Sequence, residues 1–255
     1  MNILAFFQNI FAPPRDLILL ILGAWLGLML SERRATRHRI NLDLLSNLLL
    51  LGLCGFVLGG RILYILENLA SFAQSPSSIF SLNISLFDLW GGLAIAALSA
   101  LAYGQRSHLP FWSSLDTLTP FFAALAIGVA FSHLAAGTAF GKETNVPWAI
   151  EQWGALRHPT QIYEIIASIL ILTLVLIQRP NPTAGYEFLL FVALTSASRL
   201  LIEGFRGDST LIFGGLRAAQ ITAWLILCIT FIGWEYKKRQ KPQKAWRSPA
   251  AISKE

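Results

Sequence analysis

The stretch LLSNLLLLGLCGFVLGGRILYIL, Leu44 to Leu66, carries a single charged side chain, Arg61, close to its end. At 1.5 Å of rise per residue, about 20 residues of this kind cross the hydrocarbon core of a bilayer as one α-helix. Six more stretches read the same way: Leu17 to Ser31, Leu86 to Tyr103, Leu115 to Ala136, Ile162 to Ile177, Glu187 to Phe205 and Leu216 to Trp234. Two of the seven are short and need Arg, Trp or Tyr at their ends to reach the headgroups. The expected fold is an all-α integral membrane protein with seven transmembrane helices. Met1 to Ala12 is apolar but stops at Pro13-Pro14. Residues 1–15 are therefore expected to form an interfacial arm, 16–236 the seven-helix domain and 237–255 a basic cytoplasmic tail. The arm lacks a basic start and is not read as a cleaved signal peptide.

Composition agrees. Of 255 residues 55% are hydrophobic and 13% charged, whereas a soluble domain carries about a quarter charged residues. That excludes a soluble enzyme, a disordered chain and a fibrous repeat. The net charge of +6 does not signal nucleic acid, because the basic residues bunch beside apolar segments. Arg33, Arg34, Arg37 and Arg39 follow the first helix, Arg106 and Arg179 lie in the third and fifth loops, and seven Lys or Arg come after Tyr236. Placing these on one side puts thirteen of the 20 basic residues in the cytoplasm. The N-terminus is then expected outside and the C-terminus inside. Cys54 and Cys228 read as small buried hydrophobes. No metal-ligand spacing appears, and no cofactor is expected. Pro120 is expected to kink the fourth helix, and no internal repeat supports a transporter.

An ionisable side chain at mid-bilayer costs at least about 2.5 kcal/mol, so each one there is a functional candidate. Arg61 follows Gly59-Gly60, with Tyr64 three residues on; snorkelling to the interface is the plainer reading. Arg199, Glu203 and Arg206 recur at i, i+4 and i+7 and share one helical face. An ion pair between Arg199 and Glu203 leaves positive charge over, and a guanidinium fork suits phosphate. The third place is His158-Pro159-Thr160-Gln161-Ile162-Tyr163-Glu164. A helix cap accounts for part of it, but the density of polar and aromatic groups at a membrane entrance exceeds what a cap requires.

This last motif resembles a hallmark of the bacterial prolipoprotein diacylglyceryl transferases, a His-Pro-Ser/Thr-Gln-Leu-Tyr-Glu stretch. The resemblance is collinear over about residues 42 to 235. It takes in Leu58-Gly59-Gly60-Arg61 with Tyr64, Trp90-Gly91-Gly92, and Gly137-Thr138-Ala139-Phe140-Gly141-Lys142 followed by Pro147-Trp148-Ala149. Arg199, Glu203, Arg206, Gly207, Asp208 and Gln220 complete it. It implies a multi-pass enzyme of the bacterial inner membrane. Such an enzyme moves the diacylglyceryl group of phosphatidylglycerol onto the lipobox cysteine of a lipoprotein precursor, whose signal peptide lies in the bilayer. By the same resemblance Arg199 clamps phosphate and Glu203 holds it, while Arg61 and Tyr64 line the headgroup cavity. Tyr163 and Glu164 shape the outer mouth, Gln161, Arg206 and Lys142 join the substrate-binding residues, and His158 or His133 takes the thiol proton. The alternative is a member that kept the fold and binds a phospholipid or a partner without efficient catalysis.

Two departures stand out. The family has an Arg-x-Gly-Asn or Arg-x-Gly-Cys run before the glycine loop, where this chain reads Ala130-Phe131-Ser132-His133. The family also tends to place His or Tyr before the Gly-Gly of the third helix, where this chain has Trp90. His133 or Lys142 is the expected substitute for the missing cation.

Overall fold

The computed structural model describes residues 3–80, 86–178, 183–212 and 214–239. Most of the basic tail, residues 240–255, and Arg179 lie outside the described residues. Helices occupy all seven predicted segments: α2 (Leu17–His38), α3 (Leu42–Glu67), α5 (Leu89–Arg106), α6 (Phe111–Ala136), α7 (Thr160–Ile177), α8 (Tyr186–Ile202) and α9 (Ala218–Arg239). α1 (Ile3–Ile10) precedes them, and α4 (Leu69–Gln74) with a 3-10 turn (Pro76–Phe80) follows α3. Among the described residues five segments are long and apolar enough to cross a membrane: α3, α6, α7, Tyr186–Phe205 and α9. Large apolar side chains such as Leu53, Leu201 and Ile232 stay exposed on them, as a lipid solvent allows. The chain is a mostly helical, multi-pass membrane protein. Two short hairpins add to the all-α expectation, β1 (Ile150–Gln152) with β2 (Ala155–Arg157) and β3 (Leu211–Ile212) with β4 (Leu216–Arg217).

The chain divides into two compact units, Ala35–Ser114 and the remainder. In Ala35–Ser114, α3 lies against α5 through small residues. A Cβ on Gly59 would sit 2.4 Å from the Cβ of Ile95, and one on Gly91 would sit 2.2 Å from a methyl carbon of Leu63. Membrane helices gain close van der Waals contact this way. The Gly-Gly pairs of the sequence motifs are therefore helix-packing residues. Asp88 caps α5, accepting from the Gly91 amide, and its own amide donates to the Gly60 carbonyl. Cys54 faces outward, not into a core as expected, because it lies on the apolar outer surface of α3.

In the other unit α6 is the most buried of the five candidate spans. It approaches α2 at Gly23, Gly27 and Gly128, where a Cβ would lie 2.7 to 3.0 Å from backbone atoms across the interface. α6 continues through Pro120. The Phe121 amide next to the proline donates instead to Ser31 Oγ on α2, at 3.1 Å. Ala123, Ile171, Val175 and Phe191 join α6, α7 and α8 in one apolar cluster.

The first basic loop is shorter than expected. α2 runs on to His38, so Arg33, Arg34 and Arg37 are helical. The reason is burial of Arg34, which pairs with Glu187 of α8 and donates to the Val175 carbonyl of α7. Asp116 of α6 accepts from the amides of Gly185 and Phe188. It supplies the negative charge that a helix N-terminus favours at the start of α8.

Candidate active site

The C-terminal end of α6, the N-terminal end of α7 and the C-terminal end of α8 meet at one charged cluster. α6 stops at Gly137, whose φ of +68° is the left-handed conformation that glycine adopts at helix ends. The chain then crosses the segment after α8. The Lys142 amide donates to the Phe205 carbonyl at 2.8 Å, and the Gly207 amide donates to the Phe140 carbonyl at 2.8 Å. A Cβ on Gly141 would lie 2.1 Å from the His158 carbonyl oxygen, and one on Gly207 would lie 2.7 Å from the Gly141 oxygen. Both contacts are with backbone, which cannot swing aside. Gly141→Ala is accordingly expected to cost about 1–3 kcal/mol of stability. Thermal unfolding in detergent checks this, and an unchanged midpoint would contradict it.

The start of α7 fastens to the same loop. The helix has no side-chain cap, so capping does not explain the motif. Thr160 donates to the Ala139 carbonyl at 2.6 Å, which holds Ala139 at a φ of +56°. Such a conformation is strained for a residue with a Cβ. Gln161 is fully buried and donates to the Thr138 carbonyl at 2.8 Å and to Gln152 Oε1 at 3.2 Å. Its part is to brace the loop. The hairpin turn at Trp153-Gly154 has positive φ at both residues, as a two-residue type I′ turn needs. The Trp153 indole donates to the Gly137 carbonyl.

Glu164 sits at the centre. Its Oε1 accepts from Arg199 Nη1 at 2.9 Å and from Arg206 Nη1 at 3.5 Å, and its Oε2 faces His133 Nδ1 at 3.2 Å. Arg199 Nε lies 3.2 Å from Glu203 Oε2, as the i, i+4 spacing predicted. Glu203 is buried, and its Oε1 accepts from Ser209 at 2.6 Å. Arg217 donates to the carbonyls of Glu203 and Arg206 and to Ser209, which closes the turn.

The expected surplus of positive charge is absent. Arg206 holds Asp208 bidentately at 2.9 and 3.0 Å. The helical face assumed for Arg206 ends earlier, since α8 stops at Ile202 and a 3-10 turn follows over Glu203–Phe205. Burial by itself would depress the Arg206 pKa. The hydrogen bond to Asp208 and the fields of Asp208, Glu164 and Glu203 raise it above the ordinary arginine value instead. Arg206 is a permanent cation. Arg199 is the more open of the two, with its side chain 37% exposed. Among the described residues its Nη2 has no partner, so one edge of the fork remains for a ligand.

The other expected residues fall elsewhere. His158 Nδ1 lies 3.3 Å from Tyr163 Oη, which also accepts from the Trp148 indole at 2.7 Å. The His158 and Tyr163 rings pack tilted and edge-on against Phe205, apart from Glu164's hydrogen bonds. Lys142 is exposed and joins the site through its backbone alone. Arg61, in the Ala35–Ser114 unit, donates to the carbonyls of Ser78, Ile79 and Leu86, and the Tyr64 ring meets Phe72. Trp90 is 78% exposed. Ala130 does not face the charged cluster. It is buried with Leu134 and Ile165, against Leu4 and Phe7 of α1, because the N-terminal arm covers that face of α6. Ser209 and Arg217 escaped the sequence reading. The one signal for Arg217 was an arginine inside a predicted span.

Comparison with known proteins gives the family. A family model described as prolipoprotein diacylglyceryl transferase matches residues 17–236. The chain belongs to that family. Relatives named phosphatidylglycerol–prolipoprotein diacylglyceryl transferase include one from Trichormus variabilis, 30% identical over 88% of this chain and 86% of its own length. Another, from Clostridioides difficile, is 32% identical over 80% of this chain and 82% of its own. A third, from Shouchella clausii, is 26% identical over 93% and 91%. In this chain the glycine loop, the His-Pro segment and the Arg199-Glu203-Arg206 stripe lace together around Glu164.

Proposed function

We propose that this chain transfers the diacylglyceryl group of phosphatidylglycerol to the lipobox cysteine of a lipoprotein precursor, in a bacterial inner membrane. Membership of the family supports the reaction class. The observation that carries the site is Arg199, held by Glu164 and Glu203 with one edge of its guanidinium uncommitted. The reaction forms a thioether and releases glycerol phosphate. A positively charged fork held in place before the leaving group develops its charge stabilises that departure. Arg206 adds a second cation beside it, and Glu203 keeps Arg199 in place.

The signal peptide and the lipid arrive within the bilayer, and Tyr163 and Glu164 shape the mouth they reach. His158 and His133 are the imidazoles near this mouth that answer to a thiol base. Gln161 and the backbone of Lys142 maintain the loop beneath it. Within the Ala35–Ser114 unit, Arg61 and Tyr64 are the residues proposed for the lipid headgroup, and Arg61 pins the carbonyls of Ser78, Ile79 and Leu86. No cofactor or metal is needed for this displacement.

The arrangement in the bilayer is seven spans, α2, α3, α5, α6, α7, α8 and α9, with the N-terminus outside, the C-terminus inside and α1 as an interfacial arm. The ends of α6, α7 and α8 that carry the cluster then lie on the outer side. A cysteine introduced after Glu151 is expected to react with an impermeant reagent added outside, and one after Lys241 is not. The reverse pattern would overturn this orientation.

A further inference from the structure

We infer that His133 is the general base for the acceptor thiol, acting through Nε2, and that Glu164 is the carboxylate that orients it. This rests on the transferase reading above. An ionised carboxylate only accepts hydrogen bonds. With Glu164 Oε2 at 3.2 Å, His133 therefore carries its proton on Nδ1 and leaves the Nε2 lone pair open. The side chain of His133 is 33% exposed, so it is not sealed in the core. The logic is that of a carboxylate fixing an imidazole for a nucleophile.

Among the described residues His158 has no such carboxylate partner. Its Nδ1 lies 3.3 Å from Tyr163 Oη, which also accepts from the Trp148 indole. A phenol oxygen can donate or accept, so this contact does not fix the His158 tautomer as Glu164 fixes that of His133.

Glu164 also joins base to clamp. The oxygen that does not face His133 binds Arg199 and Arg206, so the group that removes the proton and the groups that receive the phosphate are set by one carboxylate. In the step, the thiol proton passes to His133 Nε2 and the sulfur forms a bond to the terminal glyceryl carbon. The bond from that carbon to the phosphate oxygen breaks, and its electron pair leaves on glycerol phosphate at Arg199.

The test uses the full chain in vesicles containing phosphatidylglycerol, with a lipobox peptide as acceptor. His133→Asn is expected to lower kcat by about 10²–10⁴-fold, with KM for the lipid unchanged within about twofold. Imidazole added to His133→Ala is expected to restore part of the rate. His133→Gln measures the same loss if the asparagine variant does not fold. A wild-type kcat in His133→Asn, or a loss matched by lost lipid affinity and not rescued by imidazole, would overturn the assignment. A wild type that transfers nothing would instead overturn the transferase reading.

Discussion

Arg199→Ala is expected to reduce diacylglyceryl transfer by about 10²–10³-fold, the loss seen when one preorganised donor to a developing negative charge is removed. Arg199 touches Glu164 at 2.9 Å through Nη1 and Glu203 at 3.2 Å through Nε. Its position is thus set before any lipid arrives, and little reorganisation is needed when the phosphate binds. Arg199→Lys keeps the charge but loses the planar fork, so it cannot hold both carboxylates and a phosphate at once. An intermediate loss is expected, together with weaker headgroup binding. Both variants should insert and fold, because Glu164 and Glu203 each keep Arg206 beside them. Equal lipid affinity and transfer in wild type and Arg199→Ala would show that the Arg-Glu-Arg stripe is only structural.

The second large effect is expected at Glu203, which is 1% exposed. Its Oε2 lies 3.2 Å from Arg199 Nε and 3.8 Å from Arg206 Nε, and its Oε1 holds Ser209. Glu203→Ala leaves two guanidiniums next to each other with one carboxylate fewer between them. Breaking a buried ion pair by removing one partner costs about 3–5 kcal/mol. The low end applies here, since water reaches Arg199 and Arg206 retains Asp208. Glu203→Gln keeps the volume and an acceptor for Ser209, so a smaller loss is expected. Thermal unfolding in detergent with and without phosphatidylglycerol separates the two, and a wild-type midpoint for Glu203→Ala would contradict the account.

The apolar segments were legible because a membrane span needs only length and hydropathy, both local properties of the chain. What escaped is long-range pairing. Arg34 reads as one more basic loop residue until Glu187, 153 positions away, is seen to bury it and carry α2 on to His38. Asp116 reads as one charge in an apolar helix until it caps α8, 69 positions on. Arg206 failed for a different reason: its partner Asp208 is two residues away, but helical periodicity was extended past Ile202, where the helix ends. Ala130 was placed by motif register alone, which carries no information on the face that α1 covers. The stripe at Arg199 and Glu203, by contrast, was visible because both residues lie within four positions, at the end of one helical run. The hairpins at Ile150–Gln152 and Leu211–Ile212 are too short to show a period.

The central claim is transfer itself. Purified protein incubated with phosphatidylglycerol and a lipobox peptide is expected to add one diacylglyceryl group to the peptide cysteine, read as a mass gain lost on changing that cysteine to serine. Saturable binding of the headgroup with no mass gain on the peptide would contradict the account and leave a lipid-binding member of the family in its place.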